Sequence, residues 1–135
     1  MLYEFAYSVA ANTAKADADE YHLQLTTGIV YRVEVQFPNG CAGLTHCQLE
    51  HDGASFIPTN PSGSLASDGH AINIDEEYEL TEGRTIITAI LWNDDDTFYH
   101  TIYIRINILR GEAAIWFLKI LRGIEKMLKL VGINV

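Results

Sequence analysis

The chain has 135 residues, 48% hydrophobic, 10% aromatic and 20% charged, enough for one domain with a true core and too few for two ordinary ones. Its formal net charge of −9 works against nonspecific nucleic-acid binding, because most of such a surface repels phosphates. Two cysteines, Cys41 and Cys47, make no disulfide framework; two reduced thiols are expected, with a single bridge as the alternative. The first residues carry no basic leader, and the chain has no apolar run of about 18 residues. Neither a secretory signal nor a conventional membrane span is therefore expected, and the expected location is a virion or the cytoplasm.

Period-2 alternation dominates residues 1–110. Tyr3, Phe5, Tyr7 and Val9 share one face of a first strand, and Leu23 and Leu25 mark a short second one. Over 29–37, Tyr31, Val33, Val35 and Phe37 are predicted to point inward, opposite Arg32, Glu34 and Gln36. Pro38-Asn39-Gly40 closes that strand with turn chemistry. A strand over 44–52 turns Cys47 and Leu49 inward. The pattern lapses over 52–69, where a long connection suggests an interface loop. Strands resume over 70–74, at Glu79 and Leu80, and over 84–92. Residues 86–92 are apolar on both faces, as in a central strand or one covered by a neighbouring subunit. A last strand over 101–109 puts Ile102, Ile104, Ile106 and Ile108 in phase. About eight short antiparallel strands predict an all-β, jelly-roll-like β-sandwich, with an immunoglobulin-like sandwich second.

The character changes at Gly111. Residues 1–109 carry 16 acidic and four basic side chains, whereas 110–135 carry five basic and two acidic ones. From Glu112 to Val131 the periodicity is helical, so residues 111–135 form a C-terminal amphipathic α-helix, an assembly or docking element appended to the sandwich domain of 1–110. Trp116, Phe117, Ile120, Leu121, Ile124, Met127, Leu128 and Val131 span about 140° of its circumference at 100° per residue. Lys119, Arg122, Glu125, Lys126 and Lys129 lie opposite. Gly123 costs about 1 kcal/mol relative to alanine inside a helix, which a close helix contact would explain. Three destinations compete for the apolar stripe: its own β body, a symmetric bundle or a groove on another subunit, and the surface of an anionic membrane.

Catalytic signals are weak. His46 and His51 point to opposite strand faces by alternation, so they share no metal without a bulge, and strand-edge histidines are the simpler account. No metal or cofactor is expected. Asp94, Asp95 and Asp96 form an acidic turn that calcium could neutralise, although no glycine-centred calcium loop surrounds it and acidic hairpin tips are common. Asp75, Glu76, Glu77 and Glu79 read as a solvated strand edge, with a neighbour's basic helix as the alternative occupant. The serines of the long loop lack a nucleophile elbow, and nothing orients a Cys–His pair. The chain is expected not to be an enzyme. The rival function is a carbohydrate-binding or adhesin module that stacks sugars on exposed aromatics, Tyr99 and Tyr103 foremost.

Three stretches carry a resemblance: residues 32–44 (RVEVQFPNGCAGL), 56–63 (FIPTNPSG) and 92–105, with Trp92-Asn93-Asp94-Asp95-Asp96-Thr97 and His100-Thr101-Ile102-Tyr103-Ile104-Arg105. In strand and loop layout these resemble the small jelly-roll virion proteins of tailed bacteriophages, their capsid decoration, cement or fibre-base subunits. The likeness covers most of 1–109 and implies a structural subunit, homo-oligomeric with a trimer favoured, or seated on a larger protein shell. The C-terminal helix is an addition to that pattern.

Overall fold

The computed structural model describes residues 1–132, the side chains of 112–115 excepted. Eight strands are present: β1 Leu2–Val9, β2 Asp19–Gln24, β3 Gly28–Gln36, β4 Thr45–His51, β5 Ala54–Ile57, β6 Ala71–Leu80, β7 Ile86–Asn93 and β8 His100–Leu109. A helix, α1 Glu112–Leu130, follows. Antiparallel pairing joins β1 to β8, β2 to β7, β3 to β6 and β4 to β5. The strands thus pair as one long hairpin rolled upon itself, which is a jelly roll. Further pairings, β3 with β8 and β4 with β7, complete two four-stranded sheets in the orders β1-β8-β3-β6 and β2-β7-β4-β5.

The alternation in the sequence is the cause of this architecture. Val33 and Val35 of β3, Cys47 and Leu49 of β4, Ile87, Ala89 and Leu91 of β7, and Ile102 to Ile108 of β8 at every second position are all removed from water between the sheets. β7 is an interior strand, flanked by β2 and β4, and on its outward face Ile86 stays 40% exposed. Its outward Trp92 is buried: His46 stacks on the indole at a centroid distance of 4.9 Å, and Lys15 Nζ lies 5.3 Å from its centre.

Three strand expectations need correction. Tyr31 points outward and is 42% exposed, because a β-bulge between Val30 and Arg32 resets the phase of β3. The segment after Asp52 is not wholly irregular, since β5 pairs with the end of β4. The two fragments around 70–80 are one ten-residue edge strand, β6, whose exposed Asp75, Glu77 and Glu79 obscure the inward Ile72, Ile74 and Tyr78.

Gly28 opens β3 where the chain passes under the end of β8. Its φ is +149°, and a Cβ there would stand 2.5 Å from the Leu109 carbonyl oxygen and 2.7 Å from an Ile108 methyl. Gly53 also has positive φ (+77°), but a Cβ would meet nothing within 4 Å. Gly28→Ala should therefore lower the urea midpoint by more than Gly53→Ala does, with a loss above about 1 kcal/mol.

Candidate functional site

The jelly roll sends its long connections to one pole and its short turns to the other. At the long-loop pole the segments after β1, β3, β5 and β7 are tied together by backbone bonds: Asn12 N–H to the Asp95 carbonyl, Asp94 N–H to that of Leu44, and Gly69 N–H to that of Pro38. At the short-turn pole β8 ends and α1 leaves the body.

Asp94, Asp95 and Asp96 are adjacent in sequence, yet each turns to a different partner. Asp94 Oδ2 lies 3.2 Å from His46 Nε2 on the outer face of the β2-β7-β4-β5 sheet. Asp95 is buried: its carboxylate accepts from His100 Nε2 at 2.8 Å and from the backbone N–H groups of Thr97 and Phe98. Asp96 faces solvent and accepts from the Thr97 hydroxyl. The carboxylates do not converge on one point, and no group of three or more metal-ligating side chains forms among the described residues. The calcium assignment to this triplet is thus not supported by its geometry. The hydrogen bond from His100, followed by that from Thr97, holds the Asp95 carboxyl below its ordinary value.

The histidines are not simply exposed strand-edge residues. His46 and His51 do occupy opposite faces of β4, but His51 is buried, donating from Nε2 to the Arg84 carbonyl at 2.9 Å while Nδ1 meets the Tyr78 hydroxyl. His46 stands between Ser64 and Asp94, with Ser64 Oγ 2.8 Å from Nδ1. A hydroxyl, an imidazole and a carboxylate are thereby aligned in the order that general-base activation uses. The sequence hid this relay because its members come from a loop, a strand and a turn. The relay also fastens the long loop to β4, together with Gln48, which donates to the Gly63 carbonyl, and with the Leu65 backbone bonds to Cys47. Both cysteines are buried and unpaired. Burial pushes the Cys47 thiol up to about 12 and raises that of Cys41, the opposite of what a nucleophile needs.

The sugar-stacking candidates separate in the same way. Tyr3, Phe5 and Tyr7 form a stacked ladder inside the open edge of the sandwich, closed by Tyr21 at a centroid distance of 3.9 Å from Tyr7. Tyr103 lies on the outer face of β8, 5.6 Å from the Arg105 guanidinium carbon. Phe98 and Tyr99 stand out from the loop pole with 64% and 69% of their surface uncovered.

The eight-residue stripe of α1 divides into two strips. Phe117, Leu121 and Leu128 are half-buried, as is Leu118. Phe117 walls an apolar groove of about 340 Å³ with Met1, Ile29, Tyr31, Ile108 and Leu109. Leu118 borders a second groove of about 320 Å³ whose rim carries Glu79 and Glu82. Trp116 (61%), Ile120 (58%), Ile124 (49%), Met127 (69%) and Val131 (72%) remain exposed on the protomer. They fall within about 80° of the helix circumference, a ridge between the half-buried side and the basic side. No helix of the described residues is long and apolar enough to cross a membrane.

No family model matches the chain, and no curated protein matches its sequence. Among solved structures, it resembles a de novo designed double-stranded β-helix at 20% identity and a TM-score of 0.40, over 78% of this chain and 99% of that one. It also resembles a chain of the cyanophage Pam1 capsid asymmetric unit (14% identity, TM-score 0.45, 78% and 81% covered). A third is the hydroxypropylphosphonic acid epoxidase of S. wedmorenis (11% identity, TM-score 0.40), of which the match spans 43%. These likenesses concern the fold alone. The expectation that the chain is not an enzyme is withdrawn, since an epoxidase is among the structures it resembles.

The Asp95–His100 pair yields a pH prediction. A carboxyl held lower in the folded than in the unfolded chain contributes stability above its unfolded value, about 3.9, and loses it as pH falls through the folded value. Asp95→Asn should therefore be less stable than the parent at neutral pH, and the gap should narrow in urea titrations below about pH 4.

Proposed function

We propose that this chain is a structural assembly subunit, a jelly-roll body that self-associates through α1 in the manner of a virion decoration protein. The supporting observation is the exposed ridge of Trp116, Ile120, Ile124, Met127 and Val131, beside a β core that is closed without it. Five such side chains, each more or less half uncovered, would contribute on the order of 5–10 kcal/mol on burial, before ordering and association costs. Left in water they would be an aggregation surface. The partner in this reading is another copy of the chain, and a larger shell would be built from such contacts. Native mass spectrometry should find an oligomer for the parent. It should find a folded monomer for the double variant Ile120→Glu, Ile124→Glu, with unchanged β-sheet circular dichroism. A monomeric parent would end the proposal.

Phe98 and Tyr99 favour a second function, carbohydrate binding at the loop pole, because both rings stand uncovered where a sugar face could stack. Tyr99→Ala should then abolish glycan-array binding by the parent without altering its oligomeric state.

A further inference from the structure

Resting on that assembly reading, we infer that α1 pairs with the α1 of one second copy, antiparallel, about a two-fold axis beside Gly123. The spacing of the exposed ridge carries this. Its members follow one another at four, four, three and four residues, and the set is nearly its own mirror image about the point between Gly123 and Ile124. Two copies run antiparallel through that point would oppose Trp116 to Val131, Ile120 to Met127, and Ile124 to Gly123. The last pairing sets a large side chain against the one ridge-side position that has none. A Cβ at Gly123 would meet nothing within 4 Å, so the protomer itself gives no reason for a glycine there. A knob entering from a partner helix does, and it offsets the helix propensity that the glycine sacrifices.

The body supplies a further reason for the antiparallel sense, its charge: with 16 acidic side chains against four basic ones, residues 1–109 repel their counterparts, and a parallel bundle sets the bodies side by side. An antiparallel pair holds them at opposite ends of a helix about 28 Å long and brings Lys126 and Lys129 over the partner's acidic body. The helix dipoles also oppose. Five ridge side chains of roughly 100 Å² each supply about 500 Å² per partner, the larger part of the ~800 Å² of a standard interface. A two-fold pair, rather than the trimer favoured by the virion resemblance, is the result.

The test uses full-length chains. Ile120→Cys protein is mixed with isotopically labelled Met127→Cys protein and oxidised; Cys41 and Cys47, both buried, stay out of the exchange. Antiparallel pairing joins residue 120 of one copy to residue 127 of the other, within disulfide reach. In parallel, Gly123→Leu should weaken dimerisation at least ~10-fold by sedimentation while helix content stays level or rises, since leucine is the better helix former. A dimer with 120–127 links that Gly123→Leu weakens supports the inference. An oligomer whose links join like residues, or one indifferent to Gly123→Leu, overturns the antiparallel pair and leaves the assembly role standing. A monomeric parent overturns both, and its flotation with anionic vesicles would assign the ridge to a membrane surface.

Discussion

Val33 and Val35 of β3 and the four inward isoleucines of β8 lose all their contact with water to the opposite sheet. Among the described residues, the buried hydrophobic cluster that includes them runs from Val9 to Ile108, so the jelly roll closes its interior before α1 begins. Everything distinctive about the C-terminal segment follows from that closure. A helix appended to an unfinished core would have turned its whole stripe inward. Appended to a finished one, it finds shelter only for its near side, where Phe117 and Leu118 meet the grooves at the short-turn pole. The remaining ridge stays exposed, with no partner among the described residues of the protomer.

The opposite pole shows how the same closure disposes of polar groups. Rolling the chain brings four connections together, and their backbone and side-chain groups must satisfy one another where water is excluded. Asn93 illustrates this: its side chain donates to the Val9 and Phe98 carbonyls and accepts from the Thr45 hydroxyl and the Asp95 N–H. Asp95 and His100 extend the network, and no buried side-chain nitrogen or oxygen among the described residues is left without a partner. The acidic triplet is therefore divided by need: one carboxylate serves the interior, one serves His46, and one remains in solvent.

The two poles give the molecule a direction. A contact made through α1 leaves Phe98, Tyr99 and the long loop facing away from it. The fold alone does not choose among functions, because one architecture can carry many unrelated sites.

Hydrophobic periodicity was sufficient to announce an all-β sandwich followed by an amphipathic helix, because a half-buried strand and a half-buried helix each write their own period into the order of apolar residues. The two faces of β4 and the doubly apolar β7 were legible for the same reason. Tyr31 was misplaced because a bulge adds a residue without leaving a mark in composition, and β6 was split because an acidic edge strand hides its inner face. The Ser64–His46–Asp94 alignment, the burial of His51 and His100, and the division of the α1 stripe were decided only by tertiary structure. Each depends on which distant segments the rolled hairpin sets side by side, and pairwise proximity across tens of residues has no periodicity from which it can be read.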